Sequence, residues 1–161
     1  MLKSLFSHIL CAVSGSDASI QAAKYAIIMA KTLKCRLSVI YVVDTATIRK
    51  LTFSKIFVQE EAVEYEKSLK ANGDRYLSFI EELAKSKGIK IERELRLGAV
   101  YTEIVNVASE KKVDIILLGG LEKERTTREI FSHAHREIMI NAPCSVLFVK
   151  EPDVDHLFKQ V

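Results

Sequence analysis

Short apolar runs alternate with longer stretches of helical period along the whole chain. The first run, His8–Ser14 (HILCAVS), ends in Gly15-Ser16 and reads as a buried strand meeting a turn. Ser16 or Asp17 then caps a helix whose apolar stripe is Ile20, Ala23, Ile27, Ala30 and Leu33. Residues 35–43 (CRLSVIYVV) form a second strand rich in β-branched residues. Residues 44–59 show no clear period and are expected to be irregular, serving as a lid or as a surface for subunit packing. From Glu60 to Ser86 charges and apolar positions return at helical spacing, with Gly88 as the stop signal.

The second half repeats the alternation. Residues 89–97 (IKIERELRL) switch between apolar and charged, the mark of a strand with one wet face or edge. Gly98 leads into a helix carrying Val100, Ile104, Val107 and Ala108 inward, and residues 113–118 form a central strand. A helix over about 127–141 is closed by Pro143, and residues 145–150 form the last strand. The order β-α-β-α-β-α-β-α-β with apolar strands predicts helices on both faces of a mostly parallel sheet. Right-handed crossovers make this a doubly wound, Rossmann-like sandwich, with any ligand at the C-terminal strand ends beside Ser14, Val42 and Gly119. Residues 1–150 are expected to form one domain and 151–161 a tail that lies outside the core as an arm.

Composition narrows the functional classes. The chain has 161 residues, 48% hydrophobic and 28% charged, which suits one ordinary globular domain. A formal charge of +3, with bases interleaved among acids as in Glu122-Lys123-Glu124-Arg125, argues against nucleic acid and against a membrane surface. No apolar run approaches the roughly 20 residues that span a bilayer, and the N-terminal apolar stretch runs on into a strand and turn. The expected location is cytoplasmic. Cys11, Cys35 and Cys144 fall in or beside apolar strands, an odd set that fits reduced core thiols and not a disulfide framework.

Candidate chemistry is sparse. His133 and His135 stand two apart on a helix, about 200° around its axis, so their rings cannot share one ion. No nucleophile–base order or carboxylate pair stands out, and no enzymatic turnover is expected. Asp17 and Asp114 read as a helix cap and a strand-start residue.

The segments HILCAVSGSDASIQAAKYAIIMA, RLSVIYVVD, LGAVYTEIVNVASEKKVDIILLGG and NAPCSVLFVK, in that order and spacing, resemble the universal stress protein family over nearly the whole chain. The resemblance implies a five-stranded parallel sheet in the order 3-2-1-4-5 and a regulatory, stress-response role. It also implies a homodimer through the last strand, where pairing Val146, Leu147, Phe148 and Val149 with their copies would hide an open edge. Family members that bind ATP carry an aspartate at the end of the first strand and a G-x2-G-x9-G-(S/T) motif after the fourth. Here Ser14 occupies the aspartate position. Starting the motif at Gly119 puts Glu122 and Ser132 at the later glycines and His133 at the Ser/Thr; starting at Gly120 gives Lys123 and His133. No glycine follows Gly120.

Two glycines lost to residues with a Cβ, and Glu122 beside a would-be triphosphate, point away from ATP binding in the standard mode. The expectation is therefore no required cofactor. ATP or AMP remains an optional ligand on an altered site of Ser14, Val42, Gly119, Gly120, Thr127, Ser132 and His133. Thr126 or Thr127 serves more simply as the cap of the last helix.

Overall fold

The computed structural model describes residues 4–119 and 133–161. Five parallel strands form one sheet: β1 (His8–Val13), β2 (Arg36–Asp44), β3 (Ile91–Gly98), β4 (Ile115–Gly119) and β5 (Ser145–Val149), in the order β3-β2-β1-β4-β5. The doubly wound arrangement and its strand order are those expected. Alternation within β1 builds both halves of the core. Ile9, Cys11 and Val13 point to one side, Leu10 and Ala12 to the other. Each fully buried Leu or Ile contributes about 1.5–3 kcal/mol relative to exposure.

One face is covered by α1 (Asp17–Leu33) and α3 (Gln59–Ser86). Ala22, Ala23, Ala26 and Ala30 of α1 are fully buried, and their small side chains let that helix lie close on β1 and β4. The opposite face is covered by α4 (Val100–Glu110) and α5 (His133–Asn141), which close over Leu10, Ile40, Ile116 and Leu118. In the middle of α3, Gly73 is buried where a Cβ would stand 2.6 Å from the Tyr41 ring and 2.9 Å from Leu95 Cδ1. Tyr41 in turn stacks on Tyr76, one helical turn further along α3, with ring centroids 6.2 Å apart.

Two segments differ from expectation. Residues 44–59 are not irregular throughout: α2 (Thr45–Phe53) forms there. Its cap is Asp44, whose side chain accepts from Thr47 N, and only Ile48 among its residues is buried. The helix is held by its cap and by packing on α3, without a broad apolar stripe of its own. The C-terminal tail is not an arm. Residues 154–160 form α6 (Val154–Gln160), which packs on α1. Val154 is buried within the core cluster and Phe158 packs against it. Lys24 of α1 reaches Asp155 of the docked helix at 2.7 Å.

Candidate functional site

The C-terminal ends of β1, β2 and β4 meet at one edge of the sheet. Val13 pairs with Tyr41, and one step further in the same register Ser14 stands level with Val42. Cys11 pairs with Leu117, which sets Gly119 level with Val13. The winding direction reverses here, between β1 and β4, and leaves a crevice.

Ser14 is exposed and belongs to a group of three serines that builds the first turn of α1. Its amide donates to Ser19 Oγ at 3.2 Å, and its hydroxyl donates to Ser16 Oγ at 3.2 Å. Ser16 Oγ caps α1 by accepting from Ser19 N, while Ser19 Oγ donates to the Ser16 carbonyl at 2.9 Å. A hydroxyl so placed keeps lone pairs to accept from a ligand, but it carries no charge. The carboxylate at the end of the next strand is already engaged. Asp44 Oδ1 accepts from Thr47 N at 3.0 Å and Oδ2 from Thr47 Oγ1 at 2.6 Å. This cap escaped the sequence reading, although the Asp-x-x-Thr spacing was there to find it.

Val42 is partly buried on the α4–α5 side of the sheet, where Ala12, Val100 and Tyr101 pack on the same cluster. His133 opens α5 and meets Tyr101 edge to face, with centroids 5.9 Å apart and planes at 84°. Tyr101 and His133 thus touch, on the side of the sheet to which Val42 also belongs. Tyr101 was not singled out from sequence, because nothing in a helix-start tyrosine marks it as the neighbour of His133. Gly119 has a structural cause of its own. A Cβ there would lie 2.8 Å from the Ala18 carbonyl carbon and 2.9 Å from the Ala18 oxygen and the Ser19 nitrogen. The end of β4 abuts the backbone of the first turn of α1, so the glycine is required whether or not phosphate approaches. Gly120, Thr127 and Ser132, together with the expected cap at Thr126 or Thr127, lie outside the described residues.

His133 and His135 go to different neighbours, as their spacing predicts. The first meets Tyr101, and the second meets Phe148 of β5 at 5.4 Å. Among the described residues no group of three His, Cys, Asp or Glu side chains gathers as a metal site. The three thiols are free: Cys11 is buried, while Cys35 and Cys144 are half-buried. Burial pushes the Cys11 thiol up to about 12 and raises the other two as well, which holds all three in the unreactive protonated form.

A second polar group lies at the opposite, N-terminal end of the strands. His8 is buried, with Nε2 2.8 Å from Ser38 Oγ and 3.7 Å from Glu92 Oε2, and Nδ1 has no hydrogen-bond partner. Burial and the Arg36 charge lower the His8 pKa, outweighing the pull of Glu92. Glu92 is held low by its hydrogen bonds to Arg36 and, at 3.3 Å, to Lys111. Glu92 is paired with both Arg36 and Lys111, and the group ties β1, β2 and β3 to the end of α4.

The sequence profile described as the universal stress protein family matches residues 5–150. The chain belongs to the universal stress protein family. Universal stress protein MJ0531 of Methanocaldococcus jannaschii is 32% identical over 150 residues, covering 93% of this chain and 85% of that protein. The structure of the universal stress protein UspA from Lactobacillus plantarum superposes with a TM-score of 0.73 at 20% identity, covering 90% of this chain and 98% of that one. The structure of the universal stress protein from Archaeoglobus fulgidus in complex with dAMP superposes with a TM-score of 0.58 at 18% identity, covering 91% and 99%. These likenesses show a universal stress protein fold. Among the described residues no helix is long and apolar enough to cross a membrane.

Proposed function

We infer that this universal stress protein is a cytoplasmic, non-enzymatic regulatory protein of the stress response, with impaired binding of ATP in the family's standard mode. The observation that carries this reading is the state of the crevice rim. Ser14 offers a neutral hydroxyl where ATP-binding members resemble one another in an aspartate, and the neighbouring Asp44 is occupied in capping α2. Gly119 fits as a packing glycine, so its presence is accounted for without a phosphate. Burial keeps the three thiols protonated, which supports the non-enzymatic part of the reading. Homodimerisation through β5 is part of the reading, supported by the position of that strand at the sheet edge and by its partly exposed Val146, Leu147 and Phe148.

A second reading draws on the Tyr101–His133 contact, on the side of the sheet that also carries Val42, and on the dAMP complex of the Archaeoglobus fulgidus relative. A monophosphate asks less of a phosphate loop than a triphosphate does, and Ser14 can still accept from a ribose hydroxyl. In this reading the protein is an adenine-nucleotide sensor with an altered phosphate loop. Thermal unfolding with ATP, ADP and AMP, with and without Mg²⁺, separates the two, because a ligand bound only to the folded state raises Tm. The first reading expects no shift with ATP and no phosphate release. A rise with AMP alone selects the sensor, and a rise with ATP of equal or greater size overturns the impairment.

A further inference from the structure

The junction between α2 and α3 carries an apolar surface that no intramolecular contact covers. Phe53 is 92% exposed, Ile56 66% and Val58 58%, and beside them lies a hollow of about 410 Å³ lined by Ile48, Thr52, Ala62 and Val63. Isolated exposed apolar residues need no explanation, but a contiguous group beside a hollow marks an interaction surface. The segment is built, not loose. Ile56 N and Phe57 N both donate to the Leu51 carbonyl, and the Phe57 ring packs edge to face on Tyr65 at 5.6 Å. Its shape is set before any partner arrives, which limits the ordering cost of association.

Charge around this surface identifies the partner. On the α2 side stand Arg49, Lys50 and Lys55; on the first turns of α3 stand Glu60, Glu61 and Glu64, all exposed. Among the described residues Arg49, Lys50, Lys55, Glu60 and Glu61 form no ion pair, and Glu64 has a 3.8 Å contact with Lys67. A nucleic acid or an acidic protein would be repelled by the glutamates, and a basic protein by the α2 cations. A surface with a basic half and an acidic half flanking an apolar centre is complementary to itself under a two-fold rotation. We propose that the α2–α3 surface is a second self-association site, distinct from the β5 edge. The basic α2 of one copy lies on the acidic start of α3 in the other, with Phe53 and Ile56 buried between them.

Sedimentation velocity at micromolar concentration tests this with charge reversals, all at exposed positions. Arg49→Glu/Lys50→Glu makes both halves acidic and is expected to halve the mass of the wild-type assembly. Glu60→Lys/Glu61→Lys makes both halves basic and is expected to do the same. An equimolar mixture of the two variants restores the wild-type mass, since each now complements the other at both contacts. Phe53→Ser, with its side chain almost wholly exposed, also halves the mass without lowering Tm. A two-copy wild type that falls to one copy on either reversal places the whole association at this surface, and a four-copy one that falls to two leaves the β5 edge holding the remaining pair. A wild type that stays monomeric, or one whose mass is unmoved by either reversal, overturns the proposal and in the latter case leaves β5 as the sole interface.

Discussion

Asp114 Oδ2 accepts from the Ser7 amide at 2.8 Å and from the Ser7 hydroxyl at 2.6 Å. The same oxygen accepts from His8 N at 2.9 Å, so one carboxylate at the foot of β4 receives the chain as it enters β1. Removing it leaves two backbone donors without their acceptor. Asp114→Ala is expected to lower unfolding stability by about 1–3 kcal/mol in urea titrations. Asp114→Asn should cost less, because the Ser7 and His8 donors share one oxygen and an amide can present one. Equal losses for the two variants would count against this account.

Gly119→Ala is expected to destabilise the protein by about 1–3 kcal/mol with no ligand present, since the nearest atoms to the added methyl are backbone and cannot turn aside. Denaturant unfolding of the ligand-free protein reads this directly. An unchanged midpoint would mean that β4 and α1 part more easily than their contact suggests.

The pH dependence of stability follows from His8. Its folded-state pKa is lowered from 6.5, so the folded protein keeps the ring neutral while the unfolded chain begins to take up a proton near that value. The unfolded state therefore binds more protons as pH falls, and stability declines from about pH 6.5 downward until the folded ring also titrates. Chemical denaturation at pH 7.5 and at steps below 6.5 should show this fall. His8→Asn should flatten the upper part of it, and a wild-type curve level across that window would refute the assignment.

Docking of α6 is testable through Val154, which is 2% exposed in contact with the main core. Val154→Ala is expected to cost about 1–3 kcal/mol, the range for deleting buried methyl groups. Asp155→Asn should cost much less, as loss of an exposed ion pair usually does. Hydrogen exchange across residues 154–160 would show the first change and scarcely register the second.

The sheet was legible because four strands are short apolar runs closed by turn signals and β3 alternates apolar with charged residues, as an edge strand does. Residues 44–59 and the tail were not, for a common reason. A helix of nine or seven residues with one buried side chain has almost no period to detect, and its stability comes from the elements it lies on. Val154 and Phe158, four apart, were the only trace of α6. At the crevice, sequence identified Ser14, Val42 and Gly119 but not what they are tied to. A serine's hydrogen bonds to Ser16 and Ser19, or the approach of Ala18 to Gly119, depend on how the β1–α1 turn and β4 meet in space. No local pattern encodes that meeting.

The contact between Gly73 and the Tyr41 ring constrains how this protein can vary and how it can move. Position 73 can gain a methyl only if position 41 gives up its ring, so the two must change together or not at all. The same contact acts as a key in a slot. α3 cannot roll or advance by a turn on the sheet without setting a larger side chain against that ring, which restricts it to moving with β2 or lifting away entirely. The long helix is therefore a rigid mount, and whatever binds at its N-terminal end meets a surface whose angle to the sheet is already fixed.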